Sequence, residues 1–339
     1  MTTLNILVTG GAGYIGSHAC KALARAGHIP ITLDNFDYGH HWAVKWGPLV
    51  EGDLADVVLL RQIFREYKID AVMHFAGYAY VGESMVDPGK YFRNNVANTV
   101  GLLDTMVENA VDKIVFSSTC ATYGIPDRLP IDERSPQRPV NPYGESKLFM
   151  ERAMNWYSLA HGIRSVSLRY FNVAGADPDI EIGEDHNPET HLIPLVIETA
   201  LGRRPQVDIY GDDYPTPDGT AIRDYIHVTD LAAAHVLALE KLQAGAENLF
   251  LNLGTGRGHS VREVISAVEQ VSGLPVATRK APRRAGDPPV LVAAPGRAEE
   301  VLGWKPVYSS LEILIETAFN WHRKHLQEVH ERMTGERLA

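Results

Sequence analysis

Leu4-Asn5-Ile6-Leu7-Val8-Thr9-Gly10-Gly11-Ala12-Gly13-Tyr14-Ile15-Gly16 is the stretch on which the reading of this chain turns. Its first six residues form a short apolar run of the kind found in strands covered by helices on both faces. The run passes into glycines at Gly10, Gly13 and Gly16, and a helical pattern follows from Ser17 to Ala26. Such glycines allow a tight turn, close approach of a pyrophosphate to backbone N–H groups, and close packing of helix on strand. The helix N-terminus then meets the negative charge. A glycine pattern alone also suits an ordinary turn, so its surroundings decide. The next apolar run, Ile29 to Leu33, ends at Asp34, about where an acid meets the ribose hydroxyls of a dinucleotide. A carboxylate there repels a 2′-phosphate, which favours NAD over NADP. The competing role for Asp34 is a turn residue capping Asn35 and Phe36. Two further strand ends fit a cofactor lying across carboxyl edges: Asp53-Leu54 by the adenine, and Phe75-Ala76-Gly77, whose backbone passes the pyrophosphate.

Working outward, the runs Ala71 to Phe75, Ile114 to Ser117 and Arg164 to Leu168 alternate with amphipathic stretches. That alternation predicts βαβ units, hence an α/β fold with a Rossmann-type doubly wound parallel sheet. Beyond Tyr170 the texture changes. Pro and Gly crowd residues 176–188 and 211–219, marking long loops. A further strand, Asn248 to Leu253, ends in Gly254-Thr255-Gly256, so the second lobe is expected to be interleaved with the first. The expected division is 1–172 for cofactor binding and 173–339 for a smaller substrate-binding lobe. The tail after Trp321 reads as a frayed polar helix.

With 339 residues, 45% hydrophobic and 22% charged, the chain is an ordinary globular one. No apolar run approaches the roughly 20 residues of a membrane helix, and the N-terminus lacks the zones of a signal peptide, so cytoplasm is expected. Cys20 and Cys120 have no close-spaced Cys or His company, which argues against a disulfide or a zinc site, and no metal is expected. A net charge of −10 argues against a nucleic-acid-coating surface. An anionic ligand must therefore be met by local cations or backbone amides.

The chemistry-bearing stretch is Ser117-Ser118-Thr119 followed by Asn141-Pro142-Tyr143-Gly144-Glu145-Ser146-Lys147. Tyr143 and Lys147, four apart, share a helix face. A phenol titrates near 10, too high for a base at neutral pH, but an adjacent ammonium and a positive nicotinamide favour the phenolate. Thr119 would hydrogen-bond the reacting hydroxyl and steady it. Tyr–Lys pairs at this spacing are common on solvated helices. The signal gains weight from the Ser/Thr strand end before it and the glycine turn that begins the chain.

Together these motifs resemble the UDP-glucose 4-epimerases, with the UDP-arabinose (UDP-xylose) 4-epimerases as near relatives. The likeness runs from about Ile6 to about Trp304 and includes His74-Phe75-Ala76-Gly77, Asn94-Asn95-Val96, Arg169-Tyr170-Phe171-Asn172, Arg223-Asp224-Tyr225 and Arg284-Ala285-Gly286-Asp287. The resemblance implies that Tyr143 is the proton acceptor, helped by Lys147 and Thr119. It implies NAD contacts from Tyr14, Ile15, Asp34, Asn35, Asp53, Leu54, Phe75, Asn94 and Phe171, besides the glycine turn. It implies that Asn172, Leu192, Tyr210, Arg223, Arg284 and Asp287 hold the UDP portion, the two arginines offering planar forks to a diphosphate. A homodimer through the helical patterns Asn94 to Asn109 and from Tyr143 onward is implied too. Departures are His191 where many members have Asn, which leaves that contact open; Leu291 where some carry a bulky Tyr; and Ala79 in place of a Lys. The smaller Leu291 hints that N-acetylated sugars fit, and Thr119-Cys120-Ala121-Thr122-Tyr123 looks like the arabinose-type relatives.

The implied reaction inverts a hydroxyl-bearing carbon through a transient 4-keto sugar, with cofactor held throughout. A 4,6-dehydratase needs an acid and base after the strand-end Thr, where this chain has Cys120-Ala121. An NADP-dependent reductase is disfavoured by Asp34. A non-catalytic NAD-binding protein remains possible on fold grounds, although such proteins tend to lose the Tyr or Lys kept here.

Overall fold

The computed structural model describes residues 2–284 and 286–334. Seven parallel strands form the main sheet, in the order Leu249–Leu253, Arg164–Tyr170, Lys113–Thr119, Ala71–His74, Asn5–Thr9, Ile29–Asp34 and Leu49–Glu51. Each expected run is a strand. The outermost member comes from the second half of the chain, with Leu251 in register with Leu168. The order reverses between Asn5–Thr9 and Ala71–His74, and that switch point opens a crevice at the carboxyl ends of the strands.

Both faces of the sheet are covered, which is why its strands read as continuous apolar runs. On one face, Ile6, Val8, Val115, Val166 and Leu251 pack with Leu23 of the Tyr14–Arg25 helix and Leu231 and Leu239 of the Val228–Gln243 helix. On the other, Leu7, Ile31, Val72, Ile114 and Phe116 meet Leu60, Leu102, Met106, Met150 and Met154 from the helices Val57–Glu66, Asn98–Glu108 and Pro142–His161. The first helix begins at Tyr14, three residues earlier than its apolar pattern, because the chain turns helical directly after Gly13.

A smaller lobe is built on the strand Ile222–His227, flanked by Gly258–Ser260, Val290–Leu291 and Asn172–Ala174. Val207–Tyr210 and Thr278–Ala281 form a separate parallel pair. Their core is shared with the helices Leu192–Ala200, Val261–Ser272 and Leu311–Thr334. The last of these runs through Thr334, past the point where the sequence reads as frayed. Residues 175–191 and 211–221 are loops, as their Pro and Gly content predicts.

Candidate active site

Gly10 adopts φ +71°, open to glycine at little cost, and a Cβ there would lie 2.8 Å from the backbone N of Ala76. At Gly16 a Cβ would lie 2.1 Å from the carbonyl of Gly10, so the helix can enter this close only without a side chain. A Cβ on Gly13, by contrast, would have only the Gly10 carbonyl within 4 Å. The turn is thus closed against the sheet and open above Gly13 at a helix N-terminus, a cradle that fits a dinucleotide pyrophosphate. Asp34 is 8% exposed. Its carboxylate accepts from Ala12 N and Phe36 N, both at 2.9 Å, so it acts as a brace for the turn as well as standing where ribose is expected. Burial raises its pKa, opposed by those two donors. Asn35 donates to Asp53 at 2.8 Å, joining two of the expected contacts, and Leu54 is buried beside them. The ring of Phe75 packs on His235 at 4.8 Å, which leaves its backbone to line the crevice with Ala76 and Gly77. Tyr14 donates to the Gly175 carbonyl at 2.6 Å, while Ile15 packs against the core.

Thr119 is the last residue of its strand, and Tyr143 is the second residue of a 20-residue helix whose start is set by Asn141, accepting from Gly144 N at 2.8 Å, and by Pro142. The helix tip sits tightly on the Cys120–Tyr123 turn: a Cβ on Gly144 would be 2.6 Å from the Ala121 carbonyl. Thr119, Tyr143 and Lys147 are 6%, 8% and 3% exposed, so all three lie in one buried corner. Lys147 Nζ donates to the Ser117 carbonyl at 3.0 Å and lies 5.1 Å from the Phe116 ring centre. Burial lowers its pKa to about 8. The same burial pushes the Tyr143 phenol up, with the Tyr170 phenol adding to the rise and the Thr119 hydroxyl opposing it. Lys147 is not among the groups that shift the phenol, so the expected lowering by its ammonium is not seen and desolvation decides. The helix N-terminus under Tyr143 still favours the phenolate.

Several supporting groups escape a sequence reading. Residues 92–97 form a π-helical turn leading into the Asn98–Glu108 helix, an irregularity frequent at functional sites. It carries Asn94 and the fully buried Asn95. Asn95 accepts from Tyr78 N and donates to Tyr78 O and to Ser146, tying this turn to the Pro142–His161 helix. Behind the corner, Arg169 and Glu151 form a buried ion pair at 2.7 Å. Ser118 donates to Glu151, Arg169 to Tyr123, and Tyr123 to Asn252. Glu151 lies four residues beyond Lys147 on the same helix face, the one signal that could have found it.

The phosphate-binding candidates lie in the smaller lobe. Arg223 pairs with Asp287 at 2.5 Å, and the Arg284 guanidinium stacks 4.1 Å over the half-exposed Tyr210 ring. Asn172 follows Phe171 into the strand that pairs with Ile222–His227. Phe171 is buried among Tyr123, Ile131 and Ala293, with Leu291 and Cys120 against them. Cys120 connects the two halves: Tyr143 feels it on one side, and the Arg223 charge lowers its thiol on the other, though burial dominates and holds it at about 12. Leu192 opens the Leu192–Ala200 helix. His191 just before it is held 2.8 Å from Glu184 and 3.0 Å from Glu189, and Ala79 is exposed.

The chain matches the model of the NAD dependent epimerase/dehydratase family over residues 6–254. It is 51% identical to a UDP-glucose 4-epimerase of Lacticaseibacillus casei, covering 95% of this chain and 98% of that one. The crystal structure of UDP-glucose 4-epimerase from Brucella ovis in complex with NAD is 53% identical and superimposes with a TM-score of 0.92, covering 94% and 98%. A Stenotrophomonas maltophila UDP-glucose-4-epimerase with bound NAD and formylated UDP-arabinopyranose is 39% identical, with TM-score 0.93 over 96% and 99%. With a glycine cradle shaped for a dinucleotide, and with half its residues shared across nearly its whole length, the chain belongs to the NAD dependent epimerase/dehydratase family.

Proposed function

We propose that the chain is a UDP-sugar 4-epimerase, an isomerase that interconverts UDP-glucose and UDP-galactose through a 4-keto intermediate. The observation that carries this reading is a phenol, a hydroxyl and an ammonium buried together at the edge of the NAD crevice, facing a lobe that presents a paired and a stacked arginine. Bound NAD supplies the acceptor and then the donor of the C4 hydrogen, so the net redox change is zero. Tyr143 takes the proton of the 4-hydroxyl at its phenolic oxygen and gives it back on return. Thr119 holds that hydroxyl, and Lys147, anchored on the Ser117 carbonyl, places positive charge near the crevice. Asn172, Leu192, Tyr210, Arg223, Arg284 and Asp287 grip the UDP end while the sugar turns between its two faces. Gly10, Gly13, Gly16, Tyr14, Ile15, Asp34, Asn35, Asp53, Leu54, Phe75, Asn94 and Phe171 line the cofactor side. The cytoplasm is the proposed place of action; no described helix is long and apolar enough to cross a membrane.

A homodimer belongs to the same reading. The Pro142–His161 helix leaves Phe149, Trp156 and Leu159 exposed, Trp156 by 69%, an apolar face suited to a second copy. A pentose substrate is the alternative, favoured by the UDP-arabinopyranose derivative bound by the Stenotrophomonas relative. Incubation with UDP-galactose, UDP-arabinose and UDP-GlcNAc, with products resolved chromatographically, tests both. UDP-glucose formed from UDP-galactose without net NADH release is the expected result. Turnover of the pentose alone, or stoichiometric consumption of a nicotinamide cofactor, would overturn the assignment.

A further inference from the structure

We infer that Glu184, His186, Glu189 and His191 form a closed, structural site for a divalent cation of the zinc type. The cysteine spacing that argues against a metal says nothing about nitrogen and oxygen donors, and of the five His, Asp and Glu residues in 184–191 all but Asp185, which faces His40 and His325, gather in one cluster. One ligand atom from each lies within 4.8 Å of all the others. The closest pairs are His191 Nδ1 to Glu184 Oε1 at 2.8 Å and to Glu189 Oε1 at 3.0 Å, and His186 Nδ1 to Glu184 Oε1 at 3.1 Å and to Glu189 Oε2 at 3.7 Å. Bonds of zinc to imidazole and carboxylate put the edges of a tetrahedron at roughly 3.3–3.6 Å, so one donor atom from each residue needs to move by about an ångström to share one ion.

Charge and burial point the same way. The side chains of Glu184 and Glu189 are 5% and 7% exposed and that of His186 19%, while His191, at 46%, forms the solvent side of the cluster. Among the described residues, their ion pairs are with the two histidines and with no lysine or arginine. The two imidazole rings face the same pair of carboxylates, with ring centres 5.3 Å apart. One dication balances both carboxylates with the rings neutral, the form in which imidazole is a ligand. The acids Asp177, Asp179 and Glu181 on the same loop are also close enough to hold an ion, but Lys21 Nζ already reaches all three at 2.5–2.9 Å. That cluster needs no metal.

Four protein donors leave no open position, so the ion is structural and takes no part in proton transfer. Its effect is to pin the loop that starts at Gly175, where Tyr14 donates, and ends at Leu192. Outer contacts already hold the backbone there: Trp321 Nε1 donates to the Glu184 carbonyl and Tyr80 to that of Pro188.

The test uses the full chain with its bound NAD, chelated, desalted and then titrated with zinc chloride. About one zinc per chain should be retained through gel filtration, with a rise in the thermal midpoint. Glu184→Gln and His186→Ala should each weaken retention at least tenfold, while Asp179→Asn with Glu181→Gln leaves it unchanged. Cobalt titrated into the chelated wild type should give the visible absorption of a tetrahedral site, a readout that requires no variant to fold. Absence of that spectrum, or zinc held equally by wild type and the Glu184 and His186 variants, would overturn the site. Neither result depends on which sugar is turned over.

Discussion

The corner proposed for catalysis and the arm proposed to hold UDP are built on opposite plans. Thr119, Tyr143 and Lys147 sit at the end of a strand and in the first turns of a long helix, nearly dry, with their protonation set by burial. Arg223, Asp287, Tyr210 and Arg284 lie on short strands and loops, open enough to receive a ligand, and hold one another in place by an ion pair and a stack. The first plan suits groups whose chemistry depends on a low dielectric, the second suits cations that must exchange partners at each turnover. Substitutions in the corner should therefore act on kcat and those in the arm on KM.

The sharpest way to break this contrast is Tyr143→Phe. Removing the acid–base group should lower kcat by about 10²–10⁴-fold while leaving UDP affinity within about twofold, read by steady-state kinetics and calorimetry. Unaltered kcat would mean that the corner is scaffold. Next in size is Arg223→Ala, which strips a charge-assisted donor from the arm and frees Asp287 to repel the diphosphate. The loss of about 1.5–3 kcal/mol corresponds to roughly a 10–100-fold rise in KM with little change in kcat. A fall in kcat alone would erase the distinction between the two regions. The smallest effect concerns the linkage of Lys147 to stability. Burial disfavours its ammonium, so the folded protein releases this proton near about 8, whereas an exposed lysine holds it to about 10.5. Between those values the unfolded chain binds more protons, and this residue's contribution makes stability rise with pH across that window. Lys147→Met removes the contribution, so denaturant titrations from pH 8 to 10 should show a smaller upward slope than wild type, by on the order of 1–2 kcal/mol over the range.

The strand periods, the glycine turn and the Tyr–Lys pair were legible because each depends on local spacing. Leu4 to Thr9 reads as a buried strand whatever surrounds it, and Tyr143 and Lys147 fall on one face of any helix. What sequence could not supply were relations across the fold. The buried Glu151–Arg169 pair joins residues eighteen apart on different elements, and Asn95 reaches a backbone segment and a helix that no spacing connects to it. The balance that raises the Tyr143 phenol is a property of the packed corner, since it depends on Tyr170 and on lost water. The surroundings of His191 were also out of reach: Glu184 and Glu189 are its neighbours in the chain, yet only the fold of the 175–191 loop brings their carboxylates to its ring.

One edge of the main sheet has a consequence for synthesis. The strand Arg164–Tyr170 finds its outer neighbour only in Leu249–Leu253, nearly eighty residues later on the chain. A ribosome releases the six other strands of the sheet before the segment that covers this edge emerges, leaving a row of backbone donors and acceptors free to pair with a stranger. Cutting the protein after its first half therefore does not liberate a self-sufficient module. It leaves a sheet with an adhesive border.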